Sequence, residues 1–163
     1  SRRCAGQQWS VDGIQFQILH PDNGNYSRNK SSCVLRIDTG KVSVLLPGDI
    51  ERPVELALLE RFPNLQADIL IAPHHGSNSS STSAFIKTLK PDYVVLSAGY
   101  QNRFGHPSAV ISQRYKRASV RAFVTANSGA ITFSISGKTG QILVTRQRQQ
   151  HQRFWFQVPA SAI

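Results

Sequence analysis

Two apolar runs that end in polar loops constrain the fold of this chain more than any other feature. The run 42–46 leads into Gly48-Asp49, and the run 69–72 leads into His74-His75-Gly76. Both runs have the length and composition of buried strands. Because α/β sheets carry their functional groups at the carboxyl ends of strands, the pattern predicts a site that contains Asp49 and His74.

The residue types in these loops are those of a metal site. A carboxylate can bridge two divalent ions, and a neutral imidazole is a common ligand of Zn²⁺ and related ions. Two such ions can activate a water and stabilise the leaving oxygen of a phosphodiester. Gly48-Asp49 by itself is also the sequence of an ordinary turn, whereas two adjacent imidazoles at a strand end have no packing rationale.

The rest of the chain alternates between strand and helix patterns. Strands are predicted at 14–19, 32–37, 41–46, 67–72, 93–96, 121–125, 130–135 and 141–145, and helices at 53–61, 82–89 and 108–116. This order predicts one layer of sheet with helices on one face.

Three motifs carry a resemblance to a known family: Gly48-Asp49-Ile50-Glu51, Ala72-Pro73-His74-His75-Gly76-Ser77 and Asn102-Arg103-Phe104-Gly105-His106-Pro107. With residues 29–33 and 4–9, they resemble the metallo-β-lactamase-like domain of ComEC-type competence proteins. The resemblance covers about residues 4–148. It implies an α/β fold, the C-terminal half of a metallo-β-lactamase-like αββα sandwich, with a mixed sheet and flanking helices.

The resemblance also implies a function. The parent protein would lie in the bacterial inner membrane and admit single-stranded DNA during natural transformation. Its soluble domain, on the periplasmic or extracytoplasmic side, would be a metal-dependent nuclease that degrades the strand left outside. Two alternatives remain open: a hydrolase of the same fold that acts on a small ester, thioester or lactam, and a non-catalytic DNA-binding module.

The resemblance assigns roles to individual residues. Asp49 and His74 are expected to bind two Zn²⁺ or Mn²⁺ ions, with Asp49 bridging them. His75 is expected to support the ligands or contact substrate, and Arg103 to contact the phosphate. His106 would either contact the phosphate or join the ligands. Two further candidates are Ser77, as a phosphate contact or a helix cap, and His20, as an additional ligand.

One family motif does not occur in these 163 residues. The first metal motif of the fold, His-x-(His or Asp)-x-Asp-His, is absent, and the chain begins at Ser1 without Met. The chain is therefore expected to be an excised C-terminal portion whose partner is the remainder of the same protein. Alone, it should bind metal weakly and be inactive, and an uncovered apolar sheet face should favour self-association.

Charge and cysteines add two expectations. The net charge is +10, with 19 Lys and Arg against 9 Asp and Glu, which suits a polyanion such as DNA. Cys4 and Cys33 either pair in an oxidising compartment or remain as buried thiols. No apolar stretch reaches the roughly 20 residues that cross a bilayer.

The chain divides into a domain at residues 1–148 and a tail at 149–163. The tail mixes basic with aromatic side chains. It is either a flexible terminus or a segment that holds single strands by stacking and phosphate pairing.

Overall fold

A computed structural model describes residues 4–22 and 26–151. Most of the predicted 149–163 tail, from residue 152 onward, lies outside the described residues. The strands are β1 (Gln8–Val11), β2 (Ile14–His20), β3 (Val34–Asp38), β4 (Ser43–Leu46), β5 (Ile69–Ile71), β6 (Tyr93–Leu96), β7 (Arg121–Val124), β8 (Ile131–Ile135) and β9 (Ile142–Arg146). The helices are α1 (Arg52–Arg61), α2 (Ser83–Leu89), α3 (Ala109–Arg117), α4 (Thr125–Ser128) and α5 (Gln147–Gln150), and 3₁₀ turns cover Arg28–Ser31 and Pro73–Gly76.

Seven strands form one mixed sheet in sequence order, β1 to β7. Strands β1 to β4 pair antiparallel, and β4 to β7 pair parallel through the crossover helices α1, α2 and α3. The carboxyl ends of the four parallel strands therefore meet at one edge of the sheet. The predicted α/β fold with a mixed sheet and flanking helices is confirmed.

The helices α1 to α3 cover one face of the sheet. The fully buried core on this face combines sheet residues with side chains from all three helices, among them Leu45, Leu70, Val94, Leu58, Phe85 and Ile111. Each such burial contributes about 1.5–3 kcal/mol. The side chains of Thr82 and Ser108 accept N-cap hydrogen bonds from Phe85 N and Ile111 N, so α2 and α3 begin near their predicted positions.

The second face of the sheet differs from the prediction. Strands β8 and β9 do not extend the main layer but form a separate two-stranded sheet. Apolar and polar residues alternate along both strands, so the small sheet has one apolar side. This side packs on Val42, Ile69 and Tyr93 and covers the parallel half of this face. The antiparallel half keeps exposed aromatic and aliphatic side chains, with Trp9 at 42% and Val11 at 52% exposure.

The cysteines left open by the sequence form a disulfide. Cys4 and Cys33 are bonded, with their Cα atoms 6.2 Å apart and a sequence separation of 29 positions. The bond ties the chain ahead of β1 to the chain ahead of β3. Within the described ranges, no helix has both the length and the apolar character needed to span a bilayer.

Candidate metal centre

The three sequence motifs converge at the carboxyl edge of the parallel strands. Asp49 follows β4, the two histidines follow β5, and the loop 97–107 follows β6. His74 N–H donates to the carbonyl of Gly48 at 3.0 Å, which joins the first two loops. The rings of His74 and His106 lie 6.0 Å apart, which brings in the third loop.

The turn that carries the two histidines has an unusual backbone. His74 and His75 have φ of 48° and 58°, a left-handed conformation that costs a non-glycine residue about 1–3 kcal/mol. Gly76 follows with φ of 80°, and a Cβ there would lie 2.8 Å from Pro107 Cβ. Only glycine allows the third loop to approach this closely. Strain retained at consecutive polar residues is typical of functional sites.

Asp49 faces His75 rather than His74. The distance from Asp49 Oδ1 to His75 Nε2 is 3.5 Å, and both side chains are about half exposed. His75 Nδ1 lies 2.9 Å from the carbonyl of Ser97, which can only accept, so Nδ1 carries the proton. In a neutral ring, Nε2 is then an acceptor that faces a carboxylate. A cation between the two atoms, either a proton or a metal ion, would relieve this contact.

Glu51 and Ser79 orient His74. The Ser79 hydroxyl donates to Glu51 Oε1 at 3.1 Å and lies 3.2 Å from His74 Nδ1. Because the serine proton is used on Glu51, His74 Nδ1 donates to Ser79, and Nε2 keeps its lone pair for a ligand. The distance from His74 Nδ1 to Glu51 Oε1 is 3.5 Å. Glu51 belongs to the first motif, but its role was not predicted from the sequence.

The ring of His106 stacks on the exposed ring of Phe104, with the ring centroids 5.8 Å apart. Asn102 fixes its loop, because its amide nitrogen donates to the carbonyls of Gly99 and His106 and its oxygen accepts from His106 N–H. Burial lowers the pKa of His106 below its usual value, and positive charge on His74 and His75 acts in the same direction. Within the described residues, His106 Nδ1 is buried without a hydrogen-bond partner. His106 therefore has one unsatisfied ring nitrogen, and its ring lies against that of His74.

The remaining predicted residues are placed as follows. Arg103 is exposed on the loop that carries His106, and its guanidinium lies 4.7 Å from the Phe104 ring. Ser77 Oγ lies 3.2 Å from Ser79 Oγ, within the serine-rich turn beside His74. His20 is buried, and its Nε2 lies 2.7 Å from the carbonyl of Lys30, a structural contact.

A buried carboxylate, that of Glu55, stabilises the serine-rich turn formed by residues 77–83. Glu55 of α1 is fully buried and accepts hydrogen bonds from the backbone N–H groups of Ser81 and Thr82. Burial raises the pKa of the Glu55 carboxyl, and the hydrogen bonds from Thr82 and Ser81 oppose that rise. Arg114 donates to the carbonyl of Ser81 at 2.7 Å. This network holds the turn that positions Ser79 against His74.

Five side chains thus lie at one edge of the sheet, where they contact one another in pairs: Asp49 with His75, Glu51 with His74, and His74 with His106. In residues 4–22 and 26–151, no three His, Cys, Asp or Glu side chains are arranged so that they could hold one ion together. The convergence at one strand edge was predicted from the sequence. The assignment of Asp49 and His74 as ligands stays a prediction.

Comparison with known proteins identifies relatives of this chain, although no family model matches it. It is 35% identical over 159 residues to competence protein ComA of Neisseria gonorrhoeae, a match that covers 96% of this chain and 22% of that protein. It is 36% identical over 140 residues to ComE operon protein 3 of Bacillus subtilis, covering 85% of the chain and 18% of that protein.

A third relative is recombination protein 2 of Haemophilus influenzae, at 34% identity over 128 residues, which are 78% of the chain and 16% of that protein. The chain spans about a fifth of the length of the curated relatives that it matches. The matched regions cover 96% and 85% of the chain. Matches of that length include residues 48–107, which contain the three motifs at the strand edge. The chain belongs to the family of ComEC-type competence proteins and corresponds to one segment of them.

Proposed function

We propose that this chain is part of a metal-dependent phosphodiesterase that cleaves DNA during uptake and degrades the strand that is not transported. The observation that carries the proposal is the convergence of two carboxylates and three imidazoles at the carboxyl edge of β4, β5 and β6. The competence proteins among its relatives support DNA as the substrate, and so does the net charge of +10.

The residues at this edge fit divalent cations. Asp49 and His75 face each other as two acceptors, His74 keeps a free Nε2, and His106 Nδ1 is buried without a partner in the described residues. We therefore assign Asp49, His74 and His75 as the side chains that would hold the ions. Two Zn²⁺ or Mn²⁺ ions would supply positive charge for the developing oxyanion and lower the pKa of a water.

The chain's own side chains would position the substrate. Ser79 and Glu51 fix the ring of His74, and the carbonyl of Ser97 fixes that of His75, so neither imidazole needs to reorient. A ring N–H of His106 can donate a hydrogen bond to a phosphate oxygen. Arg103 supplies an exposed guanidinium on the same loop, which suits a non-bridging phosphate oxygen. Ser77 offers a hydroxyl from the opposite loop.

The remaining ligands would come from the remainder of the same protein. A dinuclear site needs more ligands than the pairs seen here, and the relatives are about five times as long as their matched regions. The half of the sheet that exposes Trp9 and Val11 is the surface on which that remainder would pack, and it would favour self-association when uncovered.

The disulfide supports a location outside the cytoplasm. Structural disulfides persist in oxidising compartments and are rare in the cytosol. The Cys4–Cys33 bond therefore suits a domain on the periplasmic or extracytoplasmic side of an inner-membrane protein.

The test is hydrolysis by this chain together with the remainder of its parent protein. We expect cleavage of single-stranded DNA that requires a divalent cation and stops when a chelator is added. A small thioester and a lactam serve as comparison substrates. Hydrolysis of either of these without DNA cleavage would assign the site to the other hydrolase class. DNA binding with no hydrolysis at any metal concentration would indicate a non-catalytic module.

A further inference from the structure

A basic cleft lies on the helical side of the molecule, between α2 and α3. Its volume is about 870 Å³. Four cationic side chains stand in its wall, with one carboxylate: Lys87, Lys90, Arg114, Arg117 and Asp92. The cleft therefore carries a marked excess of positive charge.

The cations of this cleft are available to a ligand, with one exception. Lys87, Lys90 and Arg117 are exposed, and none of them pairs with a carboxylate among the described residues. Arg114 is only partly exposed and donates to the carbonyls of Ser80 and Ser81, so it belongs to the structural network. Three exposed cations without an ion pair thus line a cleft that contains one carboxylate, Asp92, an excess of positive charge that suits a polyanion.

The basic cleft adjoins a second cleft that reaches the metal centre. The second cleft, of about 530 Å³, shares Ser83 and Arg114 with the first and adds the exposed Arg52. Ser79 lies in its wall, and the Ser79 hydroxyl contacts both Glu51 and His74. A continuous surface therefore runs from the metal centre, past Arg52, to Lys87, Lys90 and Arg117.

We infer that this surface is the track along which a single strand of DNA leaves the metal centre, with its phosphates on Arg52, Lys87, Lys90 and Arg117. The inference rests on the proposed function for the end of the track at the metal centre. The part that concerns binding of a single strand in the clefts rests on their charge and position.

The walls of the basic cleft favour a single strand over a duplex. Val110 of α3 is 56% exposed and lies in the wall of the cleft that also contains Lys87, Lys90 and Arg117. An unpaired base can cover this apolar side chain while the phosphates pair with the cations. A duplex keeps its bases stacked inside and presents only its charged backbone to a cleft of this kind.

The test compares two triple variants of the 163-residue chain that carry the same net charge. One removes the cations of the cleft: Lys87→Gln, Lys90→Gln and Arg117→Gln. The control removes three exposed lysines elsewhere: Lys30→Gln, Lys41→Gln and Lys138→Gln. Arg114 is left unchanged because of its structural contacts. Binding of a labelled oligothymidylate is measured by anisotropy over a range of salt concentrations, and thermal unfolding checks the fold of each variant.

We expect the cleft variant to bind about tenfold more weakly at low salt, with a salt slope about two units shallower, since each phosphate contact on a single strand contributes about 0.7. The control variant should stay within about twofold of the wild type. Equal losses in both variants, no loss in the cleft variant, or equally tight binding of a duplex of the same length would overturn the inference.

This outcome is separable from the proposed function. The measurement needs no metal and no hydrolysis. If the cleft variant binds DNA as tightly as the wild type, the track is refuted and the phosphodiesterase proposal is unaffected. Conversely, if the cleft variant binds DNA more weakly but the complete protein does not cleave DNA, the track is supported and the catalytic proposal is refuted.

Discussion

Replacing Asp49 with asparagine is expected to lower metal-dependent DNA cleavage at least about a hundredfold, because partners that only orient a ligand already cost about 10–100-fold when removed. Asparagine keeps the shape of the side chain but loses the negative charge that faces His75 at 3.5 Å. The backbone N–H of Asp49 would still donate to Ser32 Oγ, so the loop should keep its conformation. The measurement is the cleavage rate of the chain joined to the remainder of its protein.

Asp12→Asn is the matched control for this variant. Asp12 is exposed in the turn between β1 and β2 with φ of 50°, which asparagine tolerates well. Its replacement removes the same charge from the protein and should leave cleavage unchanged. Wild-type turnover by Asp49→Asn would refute the assignment of Asp49 as a ligand.

Removing the disulfide is expected to destabilise the domain by about 3–4 kcal/mol, which follows from the chain entropy released when a loop of this length is opened. The variant is Cys4→Ser with Cys33→Ser, and the two positions are 29 apart in sequence. For a domain of this size, the loss corresponds to a fall of about 10 °C in the midpoint of thermal unfolding. Urea unfolding of the oxidised wild type and of the variant gives the free energies directly.

The disulfide also bears on the candidate metal centre. Cys33 adjoins Ser32, whose hydroxyl accepts from the backbone N–H of Asp49 at 3.1 Å. Loss of the bond should therefore loosen the Asp49 loop as well as β1. Unfolding midpoints that are equal with and without a reducing agent would show that the bond is not formed in solution.

The arrangement at the strand edge was predictable because its signals are local. Each of the strands β4, β5 and β6 is a short apolar run. Asp49 and His74 follow their strands within three residues, and His106 lies on the loop that follows β6. Parallel pairing then brings the three loops together whatever the details of packing. The cap of α3 at Ser108 was predictable for the same reason.

The features that were missed depend on contacts distant in sequence. Glu51 contacts His74 directly and through Ser79, and these residues lie 23 and 28 positions further on, so no local pattern indicates its role. The placement of β8 and β9 on the second face depends on the aromatic cluster of Tyr93, Phe123 and Phe133.

The first strand was missed for a different reason. All four residues of β1 are exposed, so their burial pattern is not that of a half-buried strand. The signal that would have found it is Asp12-Gly13, in which both residues have positive φ, the sequence preference of a tight hairpin turn.

The number of divalent ions bound, with and without the remainder of the protein, tests the central claim most directly. Equilibrium dialysis against Zn²⁺ and Mn²⁺ measures it for the 163-residue chain and for the complete protein. Because Asp49, His74 and His75, the proposed ligands, are not arranged to hold one ion together, we expect weak, substoichiometric binding by the chain and tight binding of about two ions by the complete protein. Tight binding of two ions by the chain alone, or none by the complete protein, would contradict the account.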